Sequence, residues 1–256
     1  MFERRGELFV PTELARGPWD PEACHGGPPA ALLARAVERL EPRRSDLALA
    51  RLTYEFLRPV PLAPLTVAAR VLRPGRRVRW AEATLTSGGV EVTRLTALAV
   101  HRPADTIPAP DPLAPDPPER GRPVVFGLAP GPETSFAATA MEMRFLAGDI
   151  GPGPATVWMR LRHPLLSGEA PSGVQRAAAT ADFGNGVAHT LDFERYVFVN
   201  ADLTVYLHRE PEGEWVCLDA RTVISPGAGA LAESVLLDRR GGVGRAVQAL
   251  LVAARP

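Results

Sequence analysis

One carboxylate of the chain lies at the end of a predicted helix, where a negative charge is unfavourable. Asp182 lies in AAATADFGNG, at the end of an alanine-rich stretch that predicts a helix with its small side chains buried. A carboxylate at a helix C-terminus opposes the helix dipole by about 0.3–1 kcal/mol, and this one also interrupts an apolar face. The alternative is a solvated group at the helix end. Because a residue that breaks local rules is where function is expected, Asp182 is the leading candidate for a general base or an orienter of water.

A primary amide, Gln248, lies among apolar residues near the end of the chain. In the predicted strand GRAVQALLVAA it shares one face with Ala246, Leu250 and Val252. An amide on such a face needs hydrogen-bond partners or costs about 1–3 kcal/mol. A water held jointly with Asp182 would be one partner, and backbone groups at a sheet edge would be another.

A His-Gly-Gly triplet opens the first predicted helix. Gly26 and Gly27 permit a tight entry into that helix, and free N–H groups at a helix N-terminus can bind an anion or an oxyanion. His25 could assist there, or could be structural. A nucleophilic pair of Cys24 and His25 is not expected, because adjacent residues on an extended chain point to opposite sides.

The composition excludes several classes of protein. The 256 residues include 29 basic and 29 acidic side chains and no lysine, so neither nucleic-acid binding nor lysine chemistry is expected. Cys24 and Cys217 form no CxxC pair, so no metal site is predicted, and two free thiols suit the cytoplasm. We expect no signal peptide and no membrane association, because no apolar run reaches about 18 residues. No GxSxG, GxGxxG or GxxxxGK[ST] occurs, so no cofactor is expected.

A proline-rich segment divides the chain. Residues 103–123 hold 8 of the 27 prolines, which disfavours both helix and central strand. We therefore expect a semi-rigid linker between an N-terminal half, 1–102, and a C-terminal half, 124–256.

The two halves resemble each other. Leu52-Thr53 returns as Leu203-Thr204, and Gly88-Gly89-Val90 returns as Gly241-Gly242-Val243. Each half begins with a short strand region, which a helix follows at 26–40 and at about 172–183. Four strand-like runs come next in each half, and the last two are joined by SGG or RRGG turns.

One helix followed by a meander of long strands must bury its apolar face against the sheet. This is the outline of the hot-dog fold, in which a curved antiparallel sheet wraps around one central helix. The fold class predicted is α+β, with two hot-dog units in tandem. The alanines of both helices favour it, because small side chains let the sheet approach closely.

Several longer segments of the two halves are distinctive: HGGPPAALLARA, FLRPVP and VLRPGRRVRWAEATL in the first half, and TADFGNGVAHT, NADLTVYLHREPEGEWVCLDART and LLDRRGGVGRAVQALLV in the second. Through these segments the chain resembles the type II acyl-CoA thioesterase family over nearly its whole length. The resemblance implies that Asp182, Asn200 and Gln248 hold and polarise the water that attacks a thioester, and that Gly26 and Gly27 face Asp182 across the two halves. Asn200 stands where many relatives carry a hydroxyl.

Two groups of residues are placed less directly. Simple alternation in VFVNADLTVYLH puts Asn200 on the face away from the core, so a bulge or bend is needed to aim it at the site. Arg76 and Arg77 belong to an arginine cluster around Pro74-Gly75, which predicts either a solvated turn or contact with the phosphates of CoA.

We therefore expect hydrolysis of acyl-CoA thioesters. One alternative is a protein that binds acyl-CoA or lipid without turnover. Another is a hydratase or dehydratase of enoyl thioesters, which would pair Asp182 with His25 or His189. Exposed sheet edges usually pair, so we also expect a homodimer.

Overall fold

The computed structural model describes residues 1–41, 44–102, 113–126, 134–225, 227 and 229–255. Within them lie fourteen strands and three α-helices. The helices are α1 (Gly27–Glu38), α2 (Gly173–Ala181) and α3 (Gly184–Val187). The strands are β1 (Phe2–Arg5), β2 (Leu8–Pro11), β3 (Leu47–Phe56), β4 (Leu65–Pro74), β5 (Val78–Ser87), β6 (Val90–His101), β7 (Arg122–Val124), β8 (Met141–Ala147), β9 (Ala155–Leu161), β10 (Tyr196–Asn200), β11 (Asp202–Leu207), β12 (Val216–Ser225), β13 (Gly229–Asp238) and β14 (Gly241–Ala254).

The described strands form one large antiparallel sheet. Its order is β1-β2-β4-β5-β6-β3-β11-β14-β13-β12-β9-β8-β7, and β10 pairs with β14 beside β11. Strands β3 and β11 join the two parts of the chain, and Thr53 lies directly opposite Thr204. The threonines of the predicted repeat therefore meet at this junction, where their hydroxyl oxygens are 3.4 Å apart.

The two long helices run in opposite directions against each other. Glu38, the last residue of α1, accepts hydrogen bonds from Ser172 Oγ and Gln175 Nε2 at the start of α2, both at 2.7 Å. At the other end, Gly27 approaches the Ala179 carbonyl so closely that a Cβ would lie 2.6 Å from its oxygen. This antiparallel packing brings the end of α2 to the beginning of α1.

Small residues make this close packing possible. Alanines of both helices are fully buried, and α1 also packs against β4, β5 and β6. Two prolines in the first turn of α1 are tolerated because the first N–H groups of a helix have no partner within the helix. Ser172 begins α2 as an N-cap and accepts from Gln175 N at 3.1 Å.

The predicted elements and the observed ones agree in large part. The helices predicted at 26–40 and 172–183 are α1 and α2, and the predicted strands of the first half are β3 to β6. The run at 196–209 is two strands, β10 and β11, with a bend at Ala201. The sequence analysis did not delimit β8 or β9.

The boundary between the halves is described only in part. Residues 103–112 of the predicted linker lie outside the described residues, and Arg122–Val124 at its end is a strand that pairs with β8. The strands that end the sheet, β1 and β7, have four and three residues. Dimerisation through sheet edges stays a prediction, although such short edges offer little backbone to pair.

Candidate active site

A cavity of about 350 Å³ opens where the start of α1 meets the end of α2. His25 and Gly26 lie on one side, and Asp182, Asn185 and Asn200 lie on the other. The remaining wall is largely aromatic. A cavity of this kind, apolar with a few converging polar groups, is the usual form of a small-molecule site.

Asp182 is the residue around which the polar groups gather. It caps the C-terminus of α2, and its side chain is only 3% exposed. Its Oδ1 accepts from Asn200 Nδ2 at 2.9 Å and lies 3.5 Å from Gln248 Nε2, and its Oδ2 lies 2.7 Å from His25 Nδ1. Although it opposes the dipole of α2, the carboxylate also lies at the beginning of α1, where that helix's dipole favours a negative charge.

Three glycines let the backbone close around this carboxylate. A Cβ on Gly26 would lie 2.7 Å from Asp182 Oδ2 and 2.9 Å from Oδ1, so the helix entry touches the carboxylate itself. A Cβ on Gly27 would meet both the Ala179 carbonyl and the Phe136 ring. On the other side, a Cβ on Gly184 would lie 2.8 Å from Ser234 Oγ, so the turn after α2 needs glycine to reach the sheet.

Gln248 fixes the turn that carries Asp182. The amide is 1% exposed, and it donates from Nε2 to the Asp182 carbonyl at 3.2 Å. Its Oε1 accepts from Asn185 N at 3.2 Å. Of the two kinds of partner that the sequence analysis considered, backbone groups therefore bond this amide, at the junction of α2 and α3 and not at a sheet edge.

Asn200 reaches the site because the strand bulges after it. Asn200 pairs with Leu250 and Thr204 pairs with Val247, so four residues of β10–β11 span three of β14. Asp202 stabilises the extra residue by accepting from Ala249 N at 2.6 Å. Uninterrupted alternation through the whole run would turn Asn200 away from the core, and the strand does not follow it. The bulge or bend that the sequence analysis required to aim Asn200 at the site is present.

The His25 ring is held between aromatic side chains. Its centroid lies 4.4 Å from that of Phe183 and 5.1 Å from that of Phe136. Nδ1 is 2.7 Å from Asp182 Oδ2 and 3.1 Å from Gly27 N. These two contacts compete, because Nδ1 has either a proton or a lone pair in the ring plane. The shorter contact, to the carboxylate, assigns the proton to Nδ1, and the Gly27 N–H points at this same nitrogen.

An aromatic cluster that the sequence analysis did not single out forms the far wall. Trp19 lies 5.4 Å from Phe193 and 5.2 Å edge-on from Phe198, and all three line the cavity. His189 packs on Phe193 at 4.3 Å, and its burial lowers the pKa of the imidazole. Of the two histidines weighed as partners of Asp182, the structure brings His25 to the carboxylate.

Arg76 and Arg77 lie elsewhere. Their carbonyls accept from Arg44 Nη2 and from His101 N. His101 pairs with the first residue of β3, whereas the cavity borders the last, and ten strand residues span about 30 Å. The basic residue that the structure does place at the cavity mouth is Arg58, in the FLRPVP segment.

Two further features bear on the chemistry. Burial raises the pKa of the Cys24 thiol to about 12, so this cavity residue is a neutral thiol and not a thiolate nucleophile. Among the described residues, no group of three His, Cys, Asp or Glu side chains is placed to hold a metal ion.

Within the same residues, no helix is long and apolar enough to cross a membrane.

The fold matches that of hot-dog proteins of known structure. A conserved protein of unknown function with a hot-dog fold from Alicyclobacillus acidocaldarius aligns with a TM-score of 0.72 and 19% identity, over 100% of this chain and 96% of that one. The tesB protein of Mycobacterium avium subspecies paratuberculosis aligns at 0.67 and 18%, over 100% and 96%. The acyl-CoA thioesterase II TesB2 of Mycobacterium marinum aligns at 0.63 and 20%, over 95% and 96%.

The sequence itself defines the family. Residues 15–101 match the family described as acyl-CoA thioesterase N-terminal domain, and residues 103–252 match the acyl-CoA thioesterase C-terminal domain. The chain therefore belongs to the acyl-CoA thioesterase family, which confirms the resemblance found in its motifs. No curated protein matches the sequence.

Proposed function

We propose that the protein hydrolyses acyl-CoA thioesters in the cavity between α1 and α2. The observation that carries the proposal is the buried carboxylate of Asp182, held by three side chains and facing the glycine turn that opens α1. Membership of the acyl-CoA thioesterase family supports the reaction class. We further propose that the chain is two hot-dog units, each around its own helix, and that it acts as a cytoplasmic homodimer.

In the proposed reaction, the acyl group lies along the aromatic wall and its carbonyl carbon faces the polar side of the cavity. Water held by the pair of Asp182 and His25 attacks that carbon, a C–O bond forms, and the pair takes the proton. Negative charge develops on the carbonyl oxygen, where the N–H of Gly26, which lines the cavity at the start of α1, stabilises it. The C–S bond then breaks, and CoA leaves as its thiolate.

The test measures free thiol released from a panel of acyl-CoAs of increasing chain length. We expect Asp182→Asn, which keeps the size of the side chain, to lower kcat by about 10²- to 10⁴-fold, the usual contribution of proton transfer. Asp219→Asn is the matched control, because Asp219 is an exposed carboxylate of β12 that does not line the cavity. Equal rates for the wild type and Asp182→Asn across the panel would refute the proposal.

A second candidate reaction also has a specific observation in its favour. Hydration of an enoyl-CoA needs an acid–base pair of Asp and His in one site, and Asp182 and His25 form such a pair at 2.7 Å. Loss of the conjugated enoyl absorbance without release of thiol would identify that reaction. Tight binding of acyl-CoA with neither outcome would identify a protein that binds the ligand without turnover.

A further inference from the structure

Asp182 is sheltered from the cavity by its own partners. Both carboxylate oxygens already accept hydrogen bonds, Oδ1 from Asn200 at 2.9 Å and Oδ2 from His25 at 2.7 Å. Its side chain is 3% exposed, against 11% for that of His25. Of the two, His25 is therefore the group that a water in the cavity reaches more readily.

The contacts also define which nitrogen of His25 holds the proton. Nδ1 lies 2.7 Å from the Asp182 carboxylate and 3.1 Å from Gly27 N, and we assign it the donor role because the contact with the carboxylate is the shorter. In the neutral imidazole, Nε2 then has a lone pair. Among the described residues, no protein group makes a hydrogen bond to Nε2, and His25 lines the cavity. A basic nitrogen is thus left available on the cavity side of the carboxylate.

Packing keeps the imidazole in this orientation. Phe183 and Phe136 lie within 4.4 and 5.1 Å of the ring centroid, and Asp182 holds Nδ1. A carboxylate that holds the Nδ1 proton also stabilises the imidazolium that forms when Nε2 takes a second one.

We infer that His25 Nε2, and not Asp182, removes the proton from the attacking water. The inference rests on the proposed hydrolysis and assigns the roles within the pair. The water proton passes to Nε2 as the C–O bond forms, the C–S bond breaks to give the CoA thiolate, and the imidazolium returns the proton to the thiolate or to solvent. Asp182 is then a positioning residue that acts through His25.

The discriminating variant is His25→Asn. Its side-chain amide can donate to Asp182 from the position of Nδ1, so the carboxylate keeps its partner, but it offers no base where Nε2 was. We expect kcat to fall by about 10²- to 10⁴-fold with KM changed less than threefold. His101→Asn, at an exposed histidine of β6, is the control and should match the wild type.

One further measurement keeps the inference testable whatever the stability of His25→Asn. Added imidazole should restore part of the activity of His25→Ala, because the deleted ring leaves room for it.

Each outcome has one meaning. A His25→Asn variant within threefold of wild-type kcat overturns the inference, because a residue that only holds Asp182 is replaced well by asparagine. A folded His25→Ala variant that imidazole does not rescue overturns it as well. Failure of the wild type to release CoA from any acyl-CoA would instead refute the proposed function.

Discussion

Replacing Gly26 by alanine moves the carboxylate of Asp182 and little else. Gly26 has φ −64° and ψ −25°, a conformation that alanine adopts without strain. The added Cβ would lie 2.7 Å from Oδ2, whereas ordinary van der Waals contact begins at 3.4 Å. The carboxylate must therefore retreat by about 0.7 Å, the difference between these two distances.

A displacement of this size is large for a residue with the proposed role of Asp182, which holds His25 in place. Misplacement by about 1 Å can lower a rate by about 10²-fold, so we expect Gly26→Ala to reduce kcat for acyl-CoA hydrolysis by about 10- to 100-fold. Protein stability should change much less, because an alanine in helical conformation restricts the unfolded chain and offsets part of the steric cost. The assay is thiol release under saturating acyl-CoA, together with a thermal unfolding midpoint.

The matched control is Gly151→Ala. Nothing lies within 4 Å of a Cβ at that position, and its φ does not favour glycine. We expect wild-type kcat for this variant. If Gly26→Ala also keeps kcat within twofold of the wild type, the contact between the helix entry and the carboxylate has no part in the reaction.

Three other predictions concern contacts elsewhere in the structure. Gln248→Ala should lower the free energy of unfolding by about 1–3 kcal/mol, measured in urea, because it leaves buried backbone groups unpaired. Arg58→Ala should raise KM for acyl-CoA with little change in kcat, whereas Arg76→Ala should leave both unchanged in the same steady-state assay. Burial alone would raise the pKa of Asp238, but hydrogen bonds from Arg209 and from backbone amides lower it below 3.8. The contribution of Asp238 to the free energy of unfolding should therefore be full above pH 3.8 and be lost as the pH falls further. Asp238→Asn should remove this dependence of the free energy of unfolding on pH, measured by urea unfolding at a series of pH values.

Much of the fold follows from local patterns that tertiary contacts do not override. The strands of the first half are apolar-rich runs bounded by turns that contain glycine or proline, and β6 begins and ends where the pattern predicts. Strand β8 alternates, in MEMRF, and could have been delimited by the period of two, whereas β9 carries an apolar run, Val157-Trp158-Met159, that is buried throughout. The alanines of α1 and α2 predicted the burial of both helices, whereas the close contact between the two helices is a finding of the structure.

The site was predictable only where one residue broke a local rule. Asp182 and Gln248 are a charge and an amide on apolar faces, and both are buried, Asp182 in the lining of the cavity and Gln248 behind it. The contact of His25 with Asp182 joins residues that are far apart in sequence, so it depends on the antiparallel packing of two helices. The arginines of the β4–β5 turn suit phosphate by type, but residue type does not indicate which end of a strand faces the cavity.

The bulge after Asn200 also fixes how long this segment must be. Before it, Phe198 points inward and Asn200 reaches the site, whereas beyond it Leu203 and Val205 are the buried residues. The side chains that face inward therefore change from even-numbered to odd-numbered residues across the one extra residue of the bulge. Loss of Ala201 would turn either the amide or the two aliphatic side chains outward, so relatives that keep both should tolerate substitutions here far better than a change in length.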